Sequence, residues 1–244
     1  MSDPRRTPAN DRVAARAIAA GFPDLRPVDG TPRQITAPVA DLLRRPGGPR
    51  DRQLIYGDLV SVLDINDGHA FVQAEKDAYV GYVEAGNLGP ALPATHWVSA
   101  SATHAYAAAD MKSPDLATLS LGSQVRVTHT HGRFAETTLG FVPQVHLSEL
   151  ADRPRDPVAV AAMFLGTPYL WGGNSRWGID CSGLVQAAVL ACGFACPGDS
   201  DQQQAELGSP VPPGSGYARG DLLFWKGHVG IMLDPEHLIH ANAF

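Results

Sequence analysis

The sequence predicts an all-β amino-terminal part followed by an α+β carboxyl-terminal domain, and three observations support this fold class. Short runs of β-forming residues, separated by turns, recur at an offset of about 60 residues within the first 150 residues. A charged segment with two prolines, residues 151–158, then indicates a linker. An apolar run that begins at Cys181 predicts a buried helix, and two strand-like runs follow it.

The first 30 residues predict an irregular arm with a short helix near residues 14–20. Strands are predicted around the Gly-Asp turn of LIYGDLVSVLD, residues 54–64, and at residues 70–74 and 78–83. The same segments return further along the chain: ITAPVADLLRRP resembles VSASATHAYAA, YGDLVSVLDINDGHAFVQ resembles LGSQVRVTHTHGRFAET, and VGYVEAGNL resembles LGFVPQVHL. This repetition predicts two copies of one small all-β unit.

The carboxyl-terminal part predicts both helices and strands. One helix is predicted at residues 157–165, and a second begins at Cys181, with Asp180 as its N-cap and Gly193 just past its end. Two strands, LLFWKGHVGIML and HLIHANAF, are then predicted with a turn between them. Strands that follow a buried helix in this way indicate an α+β domain.

Cys181 lies in the first turn of its predicted helix, where free backbone N–H groups and the helix dipole favour an anion. A thiol at such a position is expected to lose its proton readily, and the thiolate is the nucleophile. The same N–H groups can stabilise an oxyanion formed after attack. His228 and His240, on neighbouring predicted strands, are candidates for a base and for the residue that orients it.

Structural roles for these residues are the competing interpretation. A lone cysteine is often a small buried apolar residue, and two histidines are often ordinary surface or core residues. Cys192 and Cys196, four residues apart, suggest a metal site, but no further ligands lie near them, so no metal is predicted. The aromatic run Tyr169-Leu170-Trp171 is either core packing or the wall of a groove beside the thiol.

Composition restricts the partners and the compartment. Twenty-five acidic against 19 basic residues give a net charge of −6, and no run of Lys or Arg stands out, so nucleic acid is not an expected partner. No segment has the apolar length of a membrane span, and the first residues lack the apolar core of a secretory signal. Three cysteines form a poor disulfide framework. We therefore expect a cytoplasmic protein without membrane contact, and its oligomeric state stays open.

Five motifs resemble the NlpC family of papain-like cysteine peptidases, which cut bacterial cell-wall peptides. The family pattern is Tyr-x-Trp-Gly-Gly, Asp-Cys-Ser-Gly, Gly-Asp-Leu-x-Phe, Gly-His-Val-Gly and a distal His. The matching segments are residues 169–173, 180–183, 220–224 and 227–230, and His240. The repeated unit, in which Tyr82 and Phe141 each lie between Gly and Val, resembles tandem bacterial SH3-like barrels. The resemblance implies two SH3-like barrels followed by a papain-like peptidase domain.

Tandem SH3-like barrels ahead of such a domain resemble the γ-D-glutamyl-L-diamino acid endopeptidases of the dipeptidyl-peptidase VI type. These enzymes release L-Ala-γ-D-Glu from murein peptides whose amino terminus is free. The resemblance implies a thiol protease that cuts murein tripeptides or tetrapeptides in cell-wall recycling, through a thioester and without cofactors. Two alternatives stay open: a catalytically weak protein that binds cell-wall fragments, and a thiol acyltransferase of the same fold.

The resemblance also assigns roles to single residues, with Cys181 as nucleophile, His228 as base and His240 as orienting residue. An acid and a tyrosine of the first barrel, with the residues that flank the cysteine, are implied to hold the free α-amine. The family's Arg-Asp-Ala/Ser-x-Gln stretch, whose arginine is absent here, approaches the substrate. The residues predicted to contact substrate are Asp180, Ser182, Tyr79, Asp51, Tyr169, Trp171, Asp199 and Ser200.

The predicted domain boundaries follow from these segments. The chain stops at Phe244, soon after the distal histidine, whereas the family continues through more strand. We therefore expect a carboxyl-terminally short domain with an unpaired strand edge beside His240. The predicted units are an arm at residues 1–30, barrels at 31–92 and 93–150, a linker at 151–156 and the peptidase domain at 157–244.

Overall fold

A computed structural model describes residues 3–243 of the chain. The amino-terminal arm contains a 3₁₀ turn at Pro4–Arg6 and a 3₁₀ helix at Arg16–Gly21. Two short strands, β1 (Val13–Ala15) and β2 (Arg26–Val28), lie on either side of this 3₁₀ helix in the chain and pair in parallel. The predicted helix at residues 14–20 is therefore wrong in its first part, because pairing with β2 draws that segment into a strand.

The first β unit is a seven-stranded antiparallel sheet wrapped around a core of fully buried aliphatic side chains such as Ile35, Leu54 and Val72. The predicted Gly-Asp turn joins its third and fourth strands, and Gly57 there has φ +85°. The strands are β3 (Thr31–Ile35), β4 (Val39–Leu43), β5 (Arg50–Ile55), β6 (Leu59–Asn66), β7 (His69–Ala74), β8 (Val80–Glu84) and β9 (Leu88–Pro90). They pair in the order β5-β4-β8-β7-β6-β3-β9.

The second β unit has the same strand order as the first. Its strands are β10 (His96–Val98), β11 (Ala102–Tyr106), β12 (Asp115–Ser120), β13 (Gln124–Val125), β14 (Val127–His131), β15 (Phe134–Thr137), β16 (Gly140–Pro143) and β17 (Leu147–Glu149). One sheet pairs in the order β12-β11-β16-β15-β14 and the other in the order β13-β10-β17. This succession matches the first unit strand for strand, except that the short β13 and β14 replace the long β6.

The carboxyl-terminal domain packs its central helix against a three-stranded antiparallel sheet. Leu184 of the helix and Ile231 of the sheet share one buried cluster with Trp97 and Leu121 of the second β unit, which fixes that unit against the domain. The elements are α1 (Pro157–Ala162), β18 (Asn174–Ser175), β19 (Gly178–Ile179), α2 (Cys181–Ala191), α3 (Ser200–Glu206), β20 (Leu222–Trp225), β21 (His228–Met232) and β22 (Leu238–Ile239).

The predicted fold class, all-β units followed by an α+β domain, is confirmed. Helix α2 begins at Cys181 after its Asp180 N-cap and is followed by Gly193 at φ +84°. The run LLFWKGHVGIML is a hairpin rather than one strand, because Gly227, at φ +73°, lets the chain turn between β20 and β21. No helix within residues 3–243 is long and apolar enough to cross a membrane. The domain boundaries stay predictions.

Candidate active site

Asp180 fixes the chain on both sides of Cys181. Its carboxylate accepts hydrogen bonds from the backbone N–H of Gly183 at 2.6 Å and of Gly172 at 2.9 Å. The first bond caps α2, and the second ties the preceding loop to the start of the helix. Gly172 has φ +70°, and a Cβ there would lie 2.6 Å from the carbonyl oxygen of Asp51. Glycine therefore lets this loop approach β5 of the first unit, next to the thiol.

Burial raises the pKa of the Cys181 thiol, and the neighbouring Asp180 carboxylate raises it further. Backbone N–H groups of Val229, Ser182 and Cys181 act in the opposite direction without cancelling the shift. The expectation that the helix start lowers this pKa is wrong, because Cys181 is only 7% exposed and the loss of solvation outweighs the helix dipole. The resting thiol is protonated at neutral pH, so attack on a substrate requires a base.

His228 and His240 form a hydrogen-bonded pair next to the thiol. Val229, which follows His228 directly, packs in one buried cluster with Cys181. The Nε2 atom of His228 and the Nδ1 atom of His240 are 2.8 Å apart, and Trp225 packs edge-on against the first ring and stacks on the second. Burial and then His240 lower the pKa of His228 below its usual 6.5. The side chain of His228 is therefore a neutral imidazole at pH 7.

The pairing decides which nitrogen of His228 can act. Because Nε2 is engaged by His240, the free ring nitrogen is Nδ1. A neutral His228 that donates from Nε2 keeps the lone pair of Nδ1 available for a proton. Within residues 3–243 no hydrogen bond joins the thiol to His228, so proton transfer requires the closer approach that commonly accompanies substrate binding.

The acid limb of the pH–rate profile is expected to report His228. As the pH falls through the lowered pKa of His228, protonation of its ring should reduce kcat/KM, because the imidazolium cannot accept the thiol proton. His240→Ala removes one cause of the lowered pKa, so the limb should move to higher pH as the rate falls. His240→Asn should keep more activity than His240→Ala, because an amide can still orient the ring. An acid limb that stays in place in His240→Ala would contradict this pairing.

Arg52 of β5 inserts a cation into the carboxyl-terminal domain, and no pattern in the sequence predicts this. The side chain is almost completely buried. Its Nη1 donates to Ser182 Oγ at 3.1 Å, and its Nη2 donates to Asn174 Oδ1 at 2.7 Å and to Gln186 Oε1 at 3.0 Å. The Ser182 hydroxyl in turn donates to Asp180 Oδ1 at 3.1 Å. Arg52 thus orients, through Ser182, the carboxylate of Asp180, which precedes Cys181.

Three carboxylates surround this single buried cation. Arg52 Nη1 lies 3.8 Å from Asp180 Oδ2 and 3.6 Å from Asp199 Oδ1. Burial acts to lower the pKa of Arg52, but the carboxylates of Asp180, Asp199 and Asp77 raise it by more. The excess of negative charge around Arg52 suits a ligand that brings a cationic group.

Tyr79 and Asp199 connect the first unit to α3. The Tyr79 hydroxyl donates to Asp199 Oδ2 at 3.1 Å, and the same oxygen accepts from Arg5 Nη1 at 2.7 Å. Burial, followed by the Asp199 charge, raises the pKa of Tyr79, so its hydroxyl remains a donor. Asp51 does not join this group, because its carboxylate accepts instead from Arg44 Nη2 at 2.6 Å.

One cavity of about 980 Å³ brings most of the predicted residues together. His228 and His240 are not among the residues that line it, although Gly227 is. Tyr169 also lies outside the lining; burial and then the charges of Asp180 and Cys181 raise its pKa. The predicted residues that line the cavity are Asp51, Tyr79, Trp171, Asp180, Cys181, Ser182, Asp199 and Ser200.

Gly198 stands where the family stretch carries its arginine. A Cβ on Gly198 would lie 3.1 Å from Tyr79 Cδ2 and 3.3 Å from Arg52 Nε, so these two side chains fill the space beside it. Two guanidinium groups nevertheless lie close to Asp199, that of Arg5 from the arm at 2.7 Å and that of Arg52 from the first β unit at 3.6 Å.

Cys192 and Cys196 are free thiols in two separate buried clusters, and neither lines the cavity. Burial raises the pKa of both, in Cys196 to about 12. No group of three or more His, Cys, Asp or Glu side chains in the described part of the chain, residues 3–243, could hold a metal ion. Both thiols are therefore packing residues in this structure.

Comparison with known proteins finds two family matches. Residues 166–243 match the NlpC/P60 family, and residues 42–88 match the bacterial dipeptidyl-peptidase Sh3 domain. A γ-D-glutamyl-L-lysine dipeptidyl-peptidase of Bacillus subtilis is 38% identical over 105 residues, which are 40% of this chain and 35% of that protein. Dipeptidyl-peptidase 6 of Lysinibacillus sphaericus is 38% identical over 87 residues, 35% of this chain and 31% of that protein. The aligned part spans about a third of the length of these relatives.

A solved structure shares the architecture of most of the chain. An NlpC/P60 family protein from Bacillus cereus superposes with a TM-score of 0.74 and 19% identity, covering 86% of this chain and 90% of that one. At this identity the likeness establishes the fold alone.

Proposed function

Because this chain carries an NlpC/P60 cysteine peptidase domain behind a bacterial dipeptidyl-peptidase SH3 domain, we propose that it hydrolyses the bond between γ-D-Glu and the diamino acid of murein peptides. The substrate is a tripeptide or tetrapeptide with a free amino-terminal L-Ala, and one product is L-Ala-γ-D-Glu. The observation that best supports this proposal is the shared cavity, which is lined by Cys181 and by Tyr79 and Asp51 of the first unit. The name of the Bacillus subtilis relative supports the choice of bond.

The geometry supports a two-step hydrolysis. His228 Nδ1 takes the proton of the Cys181 thiol, and the sulfur attacks the γ-carbonyl carbon of the D-Glu residue. The backbone N–H groups of Cys181 and Ser182, at the start of α2, are the candidates to stabilise the oxyanion. The diamino acid leaves with the proton from His228. Water then hydrolyses the thioester, and the thiol is restored.

Asp51 is the acid best suited to receive the α-ammonium of the substrate. Its partner Arg44 has a side chain that is 69% exposed, so exchanging this surface pair for a substrate cation costs little. Asp180 is occupied by backbone N–H groups, and Asp199 by an arginine and by Tyr79. We propose that Asp180 and Asp199 contribute negative charge near the ammonium without binding it directly.

The compartment forms part of the same proposal. Three free cysteines suit the reducing environment of the cytoplasm. Peptides released from the wall, rather than the intact wall, are the substrates that an enzyme would meet there. We therefore assign the activity to the recycling of cell-wall peptides.

The function is tested with a matched pair of substrates. L-Ala-γ-D-Glu-L-Lys should be cleaved to L-Ala-γ-D-Glu, identified by mass spectrometry. Its N-acetyl form should show a kcat/KM lower by about a hundredfold or more, roughly 3 kcal/mol, because acetylation removes the cationic group that Asp51 and the carboxylates near it are proposed to receive. A peptide with diaminopimelate in place of Lys tests the choice of diamino acid.

The other outcomes separate the alternatives. Equal cleavage of the free and acetylated peptides would contradict the amine subsite and leave the peptidase activity intact. Binding of both peptides without cleavage would indicate a cell-wall-fragment binding protein. Transfer of the L-Ala-γ-D-Glu group to an added amine, in preference to water, would indicate an acyltransferase.

A further inference from the structure

The first segment of the arm, residues 3–12, borders the same cavity as the nucleophile. Neither family match includes this segment. Its residues lie against both the first β unit and α3, which are otherwise connected near the cavity through Tyr79 and Asp199. The arm residues in the lining are Pro4, Arg5, Ala9, Asn10, Asp11 and Arg12. The arm is thus a wall of the site, although the proposed chemistry gives it no role.

Arg5 holds this segment against the site through three carboxylates. Its Nη1 donates to Asp199 Oδ2 at 2.7 Å and to Asp201 Oδ1 at 2.9 Å. Its Nη2 donates to Asp201 Oδ2 at 2.7 Å and to Asp3 Oδ2 at 2.8 Å, and its Nε donates to Asp3 Oδ1 at 3.0 Å. These bonds use all the N–H groups of a guanidinium, so Arg5 retains no donor for a substrate.

The position of Arg5 connects the arm to the predicted amine subsite. Asp199 Oδ2 accepts from both Arg5 and Tyr79, so the arm, α3 and the first unit meet at one carboxylate oxygen. Arg5 contacts Asp199 through one N–H group and Asp201 through two, and a two-pronged contact fixes a carboxylate better than a single one does. Loss of Arg5 would remove both ion pairs, which join the arm to the start of α3.

We propose that Arg5 is a specificity-determining positioning residue, which anchors the arm as the wall that closes the cavity at the amine end of the substrate. In this proposal the anchored wall limits the space available to an acyl group on the L-Ala nitrogen. The site should therefore bind peptides with a free amino terminus and exclude peptides that carry an N-acyl or glycan substituent. This inference rests on the proposed peptidase function.

Arg6 provides a matched control on the same arm. It also reaches α3, where its Nη1 donates to Glu206 Oε1 at 2.6 Å and its Nη2 to Gln202 Oε1 at 3.4 Å. Its side chain is about as buried as that of Arg5, with 25% against 31% exposure. Unlike Arg5, it does not border the cavity and does not contact Asp199. A merely structural role of the arm would make the two arginines equivalent.

The experiment measures kcat and KM for L-Ala-γ-D-Glu-L-Lys and its N-acetyl form with wild type, Arg5→Ala, Arg5→Lys and Arg6→Ala. The ratio of kcat/KM for the free to the acetylated peptide should fall by about tenfold or more in Arg5→Ala. Arg6→Ala should keep the wild-type ratio, and Arg5→Lys should give an intermediate value because one ammonium replaces a two-pronged contact. Thermal unfolding reports whether each variant is folded.

A second variant tests the same anchor from the opposite side. Asp201→Asn weakens two of the contacts of Arg5 and leaves Asp199 in place, so it should also lower the ratio, by less than Arg5→Ala. An unchanged ratio in folded Arg5→Ala, or equal changes in Arg5→Ala and Arg6→Ala, would overturn the proposal. Failure of the proposed function is distinct, because wild type would then cleave neither peptide.

Discussion

Cys181→Ala is expected to abolish hydrolysis of L-Ala-γ-D-Glu-L-Lys while the protein still folds. The thiol is the nucleophile in the proposed mechanism, and nothing else at the start of α2 can form the thioester. Alanine occupies less volume than cysteine and suits the first turn of a helix, so the packing around residue 181 should be nearly preserved. The measurements are product release followed by mass spectrometry, and thermal unfolding of the variant against wild type.

The companion variant removes the base. His228→Ala should lower kcat by about a thousandfold, because a protonated thiol without a proton acceptor is a poor nucleophile. The matched control for Cys181→Ala is Cys192→Ala, because the Cys192 thiol is equally buried but lies outside the cavity. The activity of Cys192→Ala should stay near that of wild type. Normal turnover by folded His228→Ala would exclude His228 as the base, and residual hydrolysis by Cys181→Ala would exclude the thioester.

Local sequence patterns predicted the fold class and the start of helix α2. The apolar run of α2 is longer than two helical turns. Its start is set by the N-cap Asp180, and its end by the left-handed backbone conformation of Gly193. The repeat of the β units was likewise visible, because alternation along strands and turn residues recur in order. These features depend on residues close together in the chain.

The contributions of Arg52 and Arg5 could not be predicted from local pattern. Arg52 bonds to Gln186, 134 positions away, and Arg5 bonds to Asp199, 194 positions away. In sequence both are charged residues in polar surroundings, which usually indicates a solvated surface. Asp51 is assigned through the family resemblance and lines the cavity, whereas its neighbour Arg52 is the buried residue. Side chains of successive strand residues point to opposite faces, so one strand can supply both, but which of its two faces is buried depends on the packing of the carboxyl-terminal domain.

The direction of the pKa shift of Cys181 could not be predicted from the sequence either. The helix dipole is a local property and favours a thiolate, but the desolvation that outweighs it depends on how α2 and β21 pack together. The contact between His228 and His240 likewise depends on tertiary structure, because the register between β21 and β22 determines whether the two side chains are close enough to bond. The structure places Ile231 opposite Ile239, and this register allows the contact between His228 and His240 beyond the paired residues.

Arg52→Leu is expected to destabilise the protein by about 3–5 kcal/mol and to reduce activity in whatever fraction stays folded. Removing one partner of a buried ionic cluster leaves the others without compensation, and the typical cost has this size. Here Asp180 would lose its nearby cation, Asp199 would retain only its ion pair with Arg5, and Ser182 would lose a hydrogen-bond donor. The midpoint of urea unfolding should fall accordingly. Arg52→Lys keeps the charge but cannot reach three acceptors at once, so its loss should be intermediate.

Arg50 supplies the control for this prediction, because it lies two positions earlier on β5 and also contacts the peptidase domain. Its Nε donates to the backbone oxygen of Trp171 at 2.9 Å, and its Nη1 lies 3.3 Å from Asp41. Both contacts are partly solvated, so Arg50→Ala should cost less than about 1 kcal/mol. If Arg52→Leu unfolds at the same urea concentration as Arg50→Ala, the carboxylates around residue 52 must be compensated without the guanidinium. If it is destabilised but cleaves the peptide with wild-type kcat and KM, Arg52 joins the two domains without positioning the residues beside the nucleophile.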